Sequence, residues 1–126
     1  MKVEVKLQRI AIMVCGEVSH KCTGNGCFRA FNEKKDAFSS YDDVQMVAFT
    51  RCDHCEGHDQ NFDKKIEKLQ SARVDTIHLS TCIRGRCDRY KEMAEEFSKY
   101  FNVVGYTHGS EKGKKDNCIC YEKKSL

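Results

Sequence analysis

The sequence predicts an α/β fold, a parallel sheet with helices on both faces. Two observations carry it: short apolar runs recur along the chain, and the stretch after each of the first three changes to a helical period.

The first run, Arg9-Ile10-Ala11-Ile12-Met13-Val14-Cys15, is of the kind that fills a buried parallel strand. Residues 44–50, 76–81 and 102–107 read the same way. Between the first two runs, Phe28, Phe31 and Phe38 fall on one helical face of residues 27–39. Phe62, Ile66 and Leu69 follow at i, i+4 and i+7, with Lys and Glu on the opposite side. Tyr90, Met93, Ala94, Phe97, Tyr100 and Phe101 repeat the pattern, with Asp88 placed to open that helix. The order β-α-β-α-β-α-β, with short connections, suits crossovers in a parallel sheet. The expected architecture is three-layer and flavodoxin-like, with strand order 2-1-3-4. Residues 3–7 alternate as an edge strand would, and Cys118-Ile119-Cys120-Tyr121 could pair with that strand or with another edge. Proline is absent, so glycines must do much of the turning.

A chain of 126 residues fits a single domain, 1–126, with 40% apolar and 33% charged residues. The formal charge is only +3, with both signs interspersed, and no basic stripe carries interleaved aromatics. Nucleic acid is therefore not an expected partner. Lys112, Lys114, Lys115, Lys123 and Lys124 read as a solvated, mildly basic tail. Residues 1–7 alternate charged and apolar and lack the apolar centre of a signal peptide. No run of about 18 apolar residues exists to span a membrane. The expected location is the cytoplasm, where thiols stay reduced. Nine cysteines, an odd number, then point to metal or redox chemistry rather than a disulfide framework.

Their placement sharpens that reading. Cys15 closes the first strand, Cys52 follows the second, Cys82 follows the third and His108 ends the fourth. In a doubly wound sheet these positions share the carboxyl edge, where such folds bind ligands. Each strand-end cysteine has partners farther along its own loop: Cys22 and Cys27 after Cys15, Cys55 after Cys52, and Cys87 after Cys82. Cys27 and Cys87 fall at or just before predicted helix starts, with Cys55 a few residues upstream of one. There the helix dipole favours a thiolate, the form that binds soft metals. Packing explains one buried cysteine well enough, but not seven at strand ends and helix starts. The candidate metal ligands are therefore Cys15, Cys22, Cys27, Cys52, Cys55, Cys82, Cys87 and His108. His78 lies inside a strand and reads as a core residue, while His20 and His58 read as loop residues. His54, between two cysteines, is a candidate ligand or ligand partner.

These stretches resemble the CGGC-domain family, small prokaryotic proteins with a metal-binding role. The matching motifs are residues 9–15, then Cys22 through Gly26-Cys27-Phe28-Arg29-Ala30-Phe31-Asn32, and Val47-Ala48-Phe49-Thr50-Arg51-Cys52. They continue with Asp75 to Cys82, Cys87, and Gly105-Tyr106-Thr107-His108, so the likeness covers about residues 8–108. The resemblance implies zinc or another metal on an α/β scaffold. One departure stands out: the family's Cys-Gly-Gly-Cys is here Cys52-Asp53-His54-Cys55, which restricts the backbone and adds ligand types. Cys118 and Cys120 lie beyond the pattern.

The leading function is a metal-binding protein holding zinc, or an iron–sulfur cluster, through four or more of these side chains. The alternative is a thiol–disulfide or other redox enzyme using the C-x-x-C at 52–55. Against it, no proline is available for a thioredoxin-type cis turn. Phosphatase and arsenate-reductase chemistry fails on spacing, because Lys21, Phe28 and Asp88 stand where C-x5-R needs arginine. Neither a phosphate loop nor G-x-G-x-x-G is present.

Overall fold

The computed structural model describes residues 7–52, 62–109 and 118–124. The apolar run at the start forms β1 (Gln8–Cys15). It is followed by α1 (Gly16–Ser19), α2 (Asn25–Asn32), a 3-10 turn (Asp36–Phe38) and β2 (Val44–Cys52). Next come α3 (Phe62–Ser71), β3 (Thr76–Leu79), α4 (Thr81–Arg86), α5 (Tyr90–Ser98), β4 (Asn102–Val104) and β5 (Cys120–Tyr121).

The sheet order is β2-β1-β3-β4-β5. The first four strands are parallel, in the order the sequence predicts, and β5 adds antiparallel to β4 through Val103↔Tyr121 and Val104↔Cys120. The extra edge strand thus comes from the tail; the alternating stretch at residues 3–7 lies almost wholly outside the described residues.

Side-chain alternation along β1 builds both halves of the core. Ile10, Ile12 and Val14 pack with Ala30, Ala37 and Phe38 on the α2 side. Ala11, Met13 and Cys15 pack with Ile66, Leu69, Met93 and Phe97 on the α3 and α5 side. Each fully buried Ile or Phe contributes roughly 1.5–3 kcal/mol of transfer free energy. The helices on the two faces flank a sheet whose chain turns one way from β1 to β2 and the other way to β3. The topological switch therefore lies between the carboxyl ends of β1 and β3.

Four local expectations are corrected. The segment read as one helix over 27–39 ends at Asn32, because Lys34 (φ 52°) and Asp36 (φ 54°) turn left-handed. Phe28 lies outside the core: it is 39% exposed and stacks on Phe49, itself 42% exposed, at 5.1 Å between centroids. Strand β2 is an edge strand with alternating exposure rather than a buried one. Finally, α5 begins after Arg89 without a side-chain cap, so Asp88 does not open it.

Candidate metal centre

A cleft of about 240 Å³ opens at the switch point, lined by Cys15, Cys22, Cys27, Cys82 and His108, with Ser80 and Phe49 among its walls. Five segments supply these groups, one each. Cys15 ends β1 and stands at the N-cap of α1, 5% exposed. Cys22 is an exposed residue of the loop that follows, its sulfur accepting from Gly24 N–H at 3.4 Å. Cys27 is the third residue of α2 and buried, at the end of the helix where the dipole is positive. Cys82 is the second residue of α4, and His108 follows β4.

Two hydroxyls are aimed at sulfur. Thr107 Oγ1 accepts from Thr81 N–H at 3.4 Å, which leaves its own proton for Cys27 Sγ, 3.1 Å away. Ser80 caps α4 by accepting from Ile83 N–H at 3.3 Å, which leaves its proton for Cys82 Sγ at 2.7 Å. Each hydroxyl keeps its proton to donate, and a hydroxyl that donates to sulfur favours thiolate over thiol. Thr107 and Ser80 are both fully buried, so these donors are not lost to water. Burial pushes the Cys27 thiol up, the Thr107 hydroxyl pulls it back, and the charges of Cys82 and Cys22 push it up again. Cys27 thus feels the charges of both Cys22 and Cys82.

Thr81 clamps the last wall in place. Its hydroxyl donates to His108 C=O at 2.7 Å and accepts from the N–H groups of His108 and Thr107 at 3.2 and 3.3 Å. The imidazole of His108 then lies close over the backbone at Gly26.

Of the eight residues singled out in the sequence, five line this cleft. Cys52 is the register partner of Cys15 but packs against the α3 and α5 core and does not line the cleft. Cys87 is not at a helix start: it is the C-cap of α4, its N–H donating to Ile83 C=O, and it too packs on that core. The short α4, unforeseen in the sequence, carries Cys82 in its first turn and separates it from Cys87. Cys55 and His54 lie outside the described residues. Among the described residues, no three His, Cys, Asp or Glu side chains lie grouped as they would around a metal ion. The donor types nonetheless suit zinc, which takes thiolate sulfur and imidazole nitrogen.

His78 is a core residue, as its strand position indicates. Its Nδ1 faces Tyr106 C=O at 3.2 Å, so that nitrogen carries the proton, and Tyr41 Oη donates to Nε2 at 2.7 Å. Burial holds its pKa down at about 4.

Sequence reasoning missed Ser80, Thr81 and Thr107. The available signal was polar side chains at the carboxyl ends of apolar strands, which in this fold face the ligand edge.

Fold and cleft together define a doubly wound α/β protein with a thiol-lined cleft at its switch point. The CGGC domain matches residues 9–108, and the chain belongs to the CGGC domain family. It is also similar to the uncharacterized protein MJ0582 of Methanocaldococcus jannaschii, at 32% identity over 130 aligned positions. That alignment spans 92% of this chain and 98% of the relative. No solved structure matches the chain. Among the described residues, no helix is long and apolar enough to cross a membrane.

Proposed function

We propose that the protein binds zinc through the thiolates of this cleft, with Cys22, Cys27, Cys82 and His108 as the donor set and Cys15 beneath it. The observation that carries the reading is the convergence of these five side chains, from five chain segments, on the switch-point cleft. The charges of Cys22 and Cys82 bear on Cys27, which favours a cation among them, and two buried hydroxyls reach two of the sulfurs. Binding requires the exposed Cys22 and the imidazole of His108 to close on the buried Cys27 and half-buried Cys82 sulfurs, because these side chains do not stand preassembled. Cys52, the register partner of Cys15, is a further thiol at the same edge of the sheet.

An iron–sulfur cluster is the second reading, and Cys15, Cys22, Cys27 and Cys82 supply the four thiolates it needs. The imidazole in the cleft favours zinc, since three sulfurs and one nitrogen make a common closed zinc site.

Elemental analysis and an absorption spectrum of protein purified without oxygen test the proposal. Colourless protein with tightly held zinc is the expected result. Brown protein with iron and acid-labile sulfide selects the cluster instead. Protein that contains no metal and takes up neither zinc nor iron contradicts both.

A further inference from the structure

A second pair of thiols lies at the far edge of the sheet and contributes nothing to the cleft. Cys118 and Cys120 flank Ile119 where the tail joins β4, with their Sγ atoms 3.9 Å apart. Ile119 turns to the α5 side, its N–H donating to Tyr90 Oη at 2.9 Å. Cys118 packs on the opposite side with Tyr106 and Val104. Alternation about Ile119 therefore sends both cysteines to one face.

The pair is held in place. Lys123 N–H donates to Asn102 Oδ1 and Lys124 N–H to Ser98 C=O, each at 2.8 Å. On the same side Arg84, only 7% exposed, lays its guanidinium 5.5 Å from the Tyr106 ring centroid and hydrogen-bonds to Cys118. A disulfide needs sulfurs about 2.05 Å apart, so the pair must close from 3.9 Å, within reach of side-chain rotation and a small backbone bend.

We propose that Cys118 and Cys120 form a dithiol–disulfide couple that exchanges with low-molecular-weight disulfides. Cys120 is the exposed member and reacts first. Its thiolate attacks one sulfur of the small disulfide, whose S–S bond breaks. One thiolate leaves and takes up a proton, and Cys120 is left in a mixed disulfide. Cys118, as thiolate, then attacks the Cys120 sulfur and expels the second small thiol. The protein loses two electrons and two thiol protons, and the small disulfide gains both. Burial and the charge on Cys120 push the Cys118 thiol up to about 11, while Arg84 pulls it back. Formation of the mixed disulfide removes the charge on Cys120 and leaves Arg84 facing Cys118, which eases the second step.

The full-length reduced protein, treated without oxygen with oxidised glutathione and quenched with iodoacetamide, provides the test. Trypsin releases residues 116–123, which contain Cys118 and Cys120 and no other cysteine. The expected wild-type peptide is two hydrogens lighter and carries no alkyl group. Cys118→Ser should retain glutathione on Cys120 at least tenfold longer than any wild-type adduct lasts. Cys120→Ser should react at Cys118 at least tenfold more slowly than Cys118→Ser reacts at Cys120. A wild-type peptide alkylated on both sulfurs, or glutathionylated on both, overturns the proposal. So does a peptide protected from both reagents until a chelator is added, which would make the pair a metal ligand.

Discussion

The His108 ring lies directly over Gly26, so close that a methyl group at position 26 would stand 3.1 Å from Nε2. Gly26 sits in the first turn of α2, where alanine is the better helix former by about 0.5–1 kcal/mol. In Gly26→Ala that gain is offset by the displacement of His108, so global stability should change by less than about 1 kcal/mol. Metal affinity should fall instead, because the imidazole is moved while the sulfurs stay. Urea midpoints together with a competitive zinc titration separate the two effects. Unchanged affinity would mean that His108 is not a ligand.

Thr107 makes the parallel case for an outer partner. Thr107→Val removes the hydroxyl that reaches Cys27 Sγ and keeps the branched shape. The Cys27 thiol should rise further, and zinc affinity should drop about 10–100-fold, as is usual when a ligand's orienting partner is lost. Iodoacetamide alkylation of Cys27 against pH in the metal-free protein checks the first effect, and zinc titration the second. A wild-type alkylation profile would show that the hydroxyl does not act on the sulfur.

The Tyr41–His78 pair predicts a pH dependence. The folded pKa of His78 is about 4, below its unfolded value near 6.5, so the unfolded chain binds the extra proton first. The stabilisation by neutral, buried His78 is complete above about pH 6.5 and is lost as the pH falls toward 4. The total is about 3 kcal/mol. Denaturant midpoints between pH 7 and pH 5 should fall in the wild type and fall less steeply in His78→Gln. Equal slopes would contradict the assignment.

Gly105 predicts how firmly the tail is docked. A methyl group there would collide with the Tyr90 hydroxyl and the Ile119 carbonyl. The same hydroxyl donates to Gly105 C=O at 2.8 Å and accepts from Ile119 N–H at 2.9 Å. Gly105→Ala should therefore lower stability by about 1–3 kcal/mol. It should also speed alkylation of Cys118 by loosening β5. Tyr90→Phe, which leaves that carbonyl and N–H without their partner, should cost about 1–3 kcal/mol. Wild-type stability and alkylation rate in Gly105→Ala would show that the tail does not depend on this contact.

Much of this architecture is legible in the residues. Ile10, Ile12 and Met13 mark a strand buried on both faces, and the Tyr90, Met93, Phe97 spacing marks a helix, because long buried elements print their period on the sequence. Helices α1 and α4 are too short to print one, and the left-handed Lys34 and Asp36 break a phenylalanine pattern that is otherwise continuous. The strand-end cysteines were legible for the same reason as the strands. Their partition was not: α4 decides that Cys82 faces the cleft and Cys87 the core, and no period announces so short a helix. Ser80 and Thr107 went unseen because their role depends on which sulfur each hydroxyl reaches, a property of the folded chain.

The central claim is that the cleft sulfurs hold the metal, and zinc content after single serine replacements tests it most directly. A hydroxyl does not replace the soft anionic donor that a thiolate supplies. Cys22→Ser, Cys27→Ser and Cys82→Ser should each lose most of the bound zinc. Cys87→Ser, outside the cleft, and the double variant Cys118→Ser with Cys120→Ser should retain it. Circular dichroism of each variant should keep its helical signal, because the core is built from strands and helices rather than from the metal. Zinc lost from the Cys87 or tail variants but kept in the cleft variants would contradict the account.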